Sequence, residues 1–179
     1  RAEWLEASRP VEDLARLARQ YRRDVTRGMD QWLEMDLRDM ETRHLDGIDA
    51  VIHLAALSND PLGNLEDGLT YDINLHASVH LAQLAKEAGV RRFLLSSSCS
   101  MHGSTDGGKV DETTLVFPLT PYGTSKIRAE EQIGAMAVPG FSPIYMRNGT
   151  VYGVSPRMRF DTVLNDLTAA AVTSGRVVL

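Results

Sequence analysis

From Asp36 onward, short apolar runs of strand length alternate with stretches of helical period, and this alternation constrains the fold more than any other feature of the chain. The run Ala50-Val51-Ile52-His53-Leu54-Ala55-Ala56 is apolar almost throughout. A strand with one wet face would alternate apolar and polar residues, so a near-continuous run reads as a parallel strand covered on both faces. Parallel neighbours need long crossovers, usually helices, and helical patterns stand where crossovers are required. Strands are therefore expected at about 50–55, 92–97 and 142–147, and helices at about 71–88, 121–136 and 160–172. A further amphipathic helix is expected at Val11–Tyr21, where Leu14, Leu17, Ala18 and Tyr21 share one face. The pattern predicts an α/β protein with a mostly parallel, doubly wound sheet.

Composition narrows the function. With 179 residues, 43% of them hydrophobic, the chain can bury one sizeable core. Its single cysteine, Cys99, cannot form an internal disulfide. No window approaches the roughly 18 consecutive apolar residues of a membrane helix, and the charged opening lacks the pattern of a secretory signal. The formal charge of −5, with both signs dispersed, offers no footprint for nucleic acid or an anionic membrane. The expectation is a soluble, cytoplasmic protein whose partner is a small molecule.

Chemistry concentrates at the carboxyl ends of the expected strands, where open α/β sheets place their ligands. The strand from Arg92 begins apolar and finishes in Ser96-Ser97-Ser98. Thr120 offers a helix cap and Pro121 suits the first helical position, which puts Tyr122 in a first turn with Lys126 four residues later on the same face. An ammonium there, together with the positive end of the helix, stabilises a phenolate and equips the tyrosine as a general base. A Tyr-x-x-x-Lys pair alone is more often a solvated helix face; the serines at the preceding strand end are what make it a candidate. His76 and His80 share the spacing of a zinc hydrolase but lack the intervening glutamate, and Gly-x-Ser-x-Gly occurs nowhere. No metal site or serine hydrolase is expected.

Taken in order, Asp36-Leu37-Arg38-Asp39, Asp49 to Ala56, Asn74, Ser96-Ser97-Ser98, Pro121-Tyr122-Gly123-Thr124-Ser125-Lys126 and Arg147 to Gly153 resemble the extended short-chain dehydrogenase/reductases. Within these they resemble the NAD-dependent epimerase/dehydratase group that acts on nucleotide sugars. The resemblance implies a Rossmann-like dinucleotide-binding core over residues 36–179, with the start of a substrate-binding part at its end, preceded by a divergent or incomplete, mainly helical segment 1–35. It implies NAD as cofactor, with NADP equally compatible, held by Asp36, Leu37, Leu54, Ala55, Ala56, Asn74, Ser96, Tyr122, Lys126, Asn148 and Val151. Ser98, Tyr122 and Lys126 would be the catalytic set, and Cys99, Ser100, His102 and Asn148 would border the sugar. The implied reaction is oxidation of a sugar carbinol followed by return of the hydride. The implied assembly is a homodimer formed through the helices at about 71–88 and 121–136.

Two departures qualify that picture. The family begins with a Gly-x-x-Gly-x-x-Gly turn against the cofactor pyrophosphate, whereas only Gly28 and Gly47 precede Gly63 here. The chain is thus expected to be without the N-terminal glycine-rich unit and most of the C-terminal substrate-binding part, either as an incomplete sequence or through natural loss, and by itself to bind NAD weakly or not at all. One alternative is therefore a truncated, non-catalytic module that serves in binding or oligomerisation. The second departure is Cys99-Ser100, which stands where 4,6-dehydrating relatives place an Asp-Glu pair. Epimerisation or ketone reduction is expected instead.

Overall fold

The computed structural model describes residues 29–31, 33–57, 66–103, 108–155 and 159–178. These fall into two compact units, one spanning Met35–Thr150 and the other holding the described residues before and after it. The helix expected at 11–21 and the loop expected at Ser58–Asn64 lie outside the described residues.

Met35–Thr150 is built on a three-stranded parallel sheet in the order β1-β2-β3. Strand β1 is Ala50–His53, β2 is Arg92–Ser98 and β3 is Ser142–Asn148. The register pairs Ala50 with Arg92 and His53 with Leu95, then Arg92 with Ser142 and Ser98 with Asn148. Strand β2 is flanked on both sides and, with β3, runs three residues beyond the end of β1, which carries the serines forward to the carboxyl edge of the sheet.

The crossover from β1 to β2 is helical over Asp67–Glu87, in three parts. Helix α1 (Asp67–Tyr71) runs into a wide π-turn (Asp72–His76), which continues as helix α2 (Ala77–Glu87). The Ala77 N–H reaches back five residues to the Asp72 carbonyl, marking the widened turn. Helix α2 ends where Gly89 takes φ +80°, a conformation that costs glycine little, and the Val90 N–H closes on the Ala85 carbonyl at 2.9 Å. The return to β3 runs through helix α3 (Pro121–Gly134). Its start is built as the residues dictate: the Thr120 side chain accepts from the Gly123 N–H and Pro121 occupies the first turn.

The core gathers Leu81, Leu84 and Ala85 of α2, Phe93 and Leu95 of β2, and Ala129 and Ile133 of α3. Alternation along β2 sends Phe93 and Leu95 to this helix-covered face. The opposite face is open: Ile52 is 62% exposed and Leu54 67%. The expectation that the Ala50–Ala56 run is covered on both faces is corrected here. Within Met35–Thr150, among the described residues, β1 pairs with β2 alone, and the helices of that unit pack on one side of it. The strand also stops at His53 rather than 55, because its register with β2 ends there.

Before β1, two 3₁₀ turns, Leu37–Asp39 and Thr42–Leu45, bring Leu37, Met40 and Leu45 onto the same core. The second unit contains helix α4 (Val163–Ser174), which ends at Gly175.

Candidate active site

The carboxyl end of β2 passes directly into a 3₁₀ turn, Cys99–His102, and Ser98 caps it by accepting the Ser100 N–H at 3.2 Å. This turn meets the start of α3. A Cβ built on Gly123 would stand 3.3 Å from the Ser100 carbonyl oxygen, so the absence of a side chain at 123 lets the helix's first turn close on the strand end. Gly103 serves the adjoining loop in the same way. At φ +64° its Cβ position would fall 2.2 Å from the Phe117 carbonyl oxygen, so the 115–119 segment can pass here only over glycine.

Tyr122 and Lys126 rise from one face of α3, with the Lys126 ammonium 5.8 Å from the centre of the Tyr122 ring. Lys126 is 2% exposed and donates to the Ser96 carbonyl at 2.9 Å. An ammonium has three donors, so one serves Ser96 and others remain for a ligand. Burial pushes the Lys126 pKa down to about 8, against an opposing pull from Glu130. At neutral pH the side chain is still mostly protonated, and its charge favours a phenolate at Tyr122.

Asn148, opposite Ser98 in the sheet, donates from its side-chain amide to the Ser96 hydroxyl at 3.1 Å. Ser96, Lys126 and Asn148 are thus joined by hydrogen bonds, with Tyr122 beside the lysine. Asn74 is fully buried in the π-turn and grips the chain after β1 with both ends of its amide, accepting the Leu57 N–H at 2.8 Å and donating to the Leu57 carbonyl at 3.1 Å. It acts as a brace for the segment carrying Leu54, Ala55 and Ala56, of which Leu54 and Ala55 are exposed.

The other expected site residues are placed as follows. Asp36 caps the Leu37–Asp39 turn and holds Arg38 through a two-pronged ion pair, which lowers its pKa to about 2. Leu37 packs on the core. Cys99 and Ser100 are partly exposed in the 3₁₀ turn, whereas His102 is buried and directs its Nδ1–H to the Leu115 carbonyl at 3.4 Å. Val151 is exposed and belongs to the second unit. Among the described residues there is no group of three or more metal-binding side chains, and His80 is engaged with the Met40 carbonyl at 3.3 Å.

His53 escaped the sequence reading. It is buried at the end of β1, 2.8 Å from the Ser78 hydroxyl, which in turn donates to the Asn74 carbonyl at 2.9 Å. Because the one serine proton is spent on Asn74, the imidazole Nε2 must carry the proton toward Ser78. Burial, reinforced by the charge of Lys126, lowers the His53 pKa to about 4, so the ring is neutral at physiological pH. A polar residue inside an otherwise apolar strand was the signal available for finding it.

Comparison with known proteins accords with this geometry. The sequence model of the NAD dependent epimerase/dehydratase family matches residues 2–178. The chain is 32% identical over 126 residues to the uncharacterized UDP-glucose epimerase YtcB of Bacillus subtilis (strain 168), an alignment covering 69% of this chain and 39% of that protein. It is 28% identical over 152 residues to the UDP-glucose 4-epimerase of Streptomyces lividans, covering 77% and 46% respectively. The chain therefore spans less than half the length of these relatives. Among solved structures it is similar to MoeE5 in complex with UDP-glucose and NAD, with a TM-score of 0.70 and 29% identity over 87% of this chain and 56% of that one. A parallel sheet with its serine-ended central strand, a capped helix carrying tyrosine and lysine, and a family match across nearly the whole sequence lead to one conclusion: this chain belongs to the NAD-dependent epimerase/dehydratase family.

Proposed function

We propose that this chain forms part of an NAD(P)-dependent enzyme that epimerises a nucleotide sugar or reduces its ketone, with Ser98, Tyr122 and Lys126 as the catalytic set. The observation that carries this reading is the buried Lys126 ammonium, set against the Ser96 carbonyl and beside the ring of Tyr122. A buried ammonium without a carboxylate bound to it is costly, and a role at a reacting centre accounts for keeping one here.

The residues present fit the sugar-proximal end of a nicotinamide cofactor. Lys126 has donors to spare for a ribose diol, Ser96 and Asn148 line the adjoining strand ends, and the chain after β1 is exposed at Leu54 and Ala55. When bound, the cofactor supplies a hydride acceptor. Tyr122, as phenolate, removes the proton from the sugar hydroxyl. Lys126 and the first turn of α3 stabilise that anion before the transfer. Ser98, at the strand end, donates a hydrogen bond to the carbonyl oxygen as it forms. Cys99 and Ser100 supply no carboxyl pair for eliminating water across C5 and C6, which favours inversion or ketone reduction over 4,6-dehydration.

The test uses the complete protein with a panel of nucleotide sugars, following products by NMR. Inversion at one carbon, or reduction of a supplied ketone, is the expected result, and accumulation of a 4-keto-6-deoxy sugar would overturn it. Tyr122→Phe removes one oxygen from an otherwise similar ring and should lower turnover by roughly 10²–10⁴-fold. Unchanged turnover would end the assignment. We also infer a homodimer in the cytoplasm, contacts running through α1–α2 and α3; light scattering that gives a monomer at micromolar concentration would remove the dimer.

A further inference from the structure

Glu130 lies one helical turn beyond Lys126 on the same face of α3. Its side chain is 8% exposed, which would be unfavourable for a lone carboxylate. Arg147 of β3 offsets that cost. Its Nη2 donates to Glu130 Oε2 at 2.8 Å, its Nε lies 3.2 and 3.3 Å from the two carboxylate oxygens, and its Nη1 reaches the Glu112 carbonyl at 3.3 Å. Tyr122, Lys126, Glu130 and Arg147 thus form a line of groups from the helix start toward β3.

The surroundings of Lys126 define what Glu130 can do. On its own helix Lys126 faces Tyr122 and Glu130; from β2 it meets only the Ser96 carbonyl, a neutral dipole; from β1 comes His53, which is uncharged at physiological pH. Arg147 of β3 stands behind Glu130. Glu130 is therefore the carboxylate whose charge opposes the burial of the ammonium. Arg147 directs that same carboxylate toward β3, so part of its field is cancelled.

We propose that Glu130 is a positioning residue that keeps Lys126 charged, and that Arg147 limits this support by holding the carboxylate toward β3. The inference rests on the reading of Lys126 as the group that charges the Tyr122 site. It has a consequence that a merely structural ion pair lacks. Breaking the pair from the glutamate end removes support for the ammonium, whereas breaking it from the arginine end releases a carboxylate to act on Lys126 more strongly. The two variants should move Lys126 in opposite directions.

The experiment is an NMR pH titration of the complete protein labelled with ¹³C at lysine Cε, the Lys126 signal being assigned by its loss in Lys126→Met. Glu130→Gln, close in shape and still able to accept from Arg147, should lower the Lys126 midpoint by about one pH unit. Glu130→Asp keeps the charge and should return the midpoint to within about 0.3 of the wild-type value, given the small cost of a slightly longer ion-pair distance. Arg147→Met should raise it, since the guanidinium that holds the carboxylate toward β3 is then gone. An unmoved midpoint in Glu130→Gln, or a midpoint in Arg147→Met that fails to rise, overturns the proposal. Should Arg147→Met fail to fold, the Glu130→Gln and Glu130→Asp pair decides alone. If the midpoints move as stated while Tyr122→Phe leaves turnover intact, the electrostatic inference stands and the enzymatic reading of the site falls.

Discussion

The two faces of the sheet show how one set of strands divides structural and chemical work. On the helix-covered face Phe93 and Leu95 are fully buried among α2 and α3, and the same face holds His53 and Ser97 nearer the carboxyl ends. On the other face Ile52 and Leu54 stand in solvent. The covered face grades from a hydrocarbon core to polar groups within a few residues along β1 and β2, His53 bonded to Ser78 and the Ser97 hydroxyl buried without a hydrogen-bond partner among the described residues. The position along the strand thus decides whether burial contributes cohesion or perturbs a titratable group. At Ile52 and Leu54 the open face offers neither effect: water screens these side chains and little packing is lost when they change.

Substitution on the covered face should show the largest effect. Phe93→Ala removes a fully buried ring that touches both His53 and Phe141 and should cost about 3–5 kcal/mol of unfolding free energy in denaturant titrations. A loss below about 1 kcal/mol would mean that this face is not the packed one.

Acid should show the next largest. The His53 pKa is about 4 in the folded chain, lowered from 6.5. Between these values the unfolded chain binds more protons than the folded one, so stability falls as the pH drops from about 6.5 to about 4. The loss should reach about 3 kcal/mol. In His53→Gln that histidine-linked part of the slope should vanish. A pH dependence of unfolding that is the same with and without His53 would break the link between burial and titration on this face.

The smallest effect belongs to the open face. Ile52→Thr keeps a β-branched side chain at an exposed position and should change stability by no more than about 0.5 kcal/mol. A cost of several kcal/mol would show that Ile52 is covered in solution and would erase the contrast between the faces.

How much of this was legible in the sequence follows from which signals are local. Strand β2 announces itself by an apolar run ending in three serines, and α3 by Thr120, Pro121 and the helix formers after them. Both were read within a residue or two of the observed bounds. The end of β1 was not legible, since Leu54 to Ala56 continue the apolar run, and only the partner strand determines that pairing stops at His53. The Tyr122–Lys126 pair was visible because helical spacing is a one-dimensional property. His53 was hidden because its hydrogen-bond partner, Ser78, lies 25 residues away. Glu130 carried no local signal either, because its partner Arg147 reaches it from β3, 17 residues farther along the chain.

The π-turn at Asp72–His76 also bears on how this chain can tolerate insertions and deletions. A wide turn amounts to one additional residue accommodated inside a helix. Deleting one residue there, Ile73 for instance, would let the segment run as an ordinary helix, with a more regular hydrogen-bond ladder. Because the wide turn absorbs its extra residue locally, the helix on either side would keep its facing and the change would fall on the turn itself, where Asn74 sits. Asn74 would lose the position from which it holds Leu57, while Ser78, beyond the turn, could still meet His53. The shortened helix would gain in its own regularity and lose its tie to the segment after β1, so the number of residues in the turn is under tighter constraint than the identity of most of them.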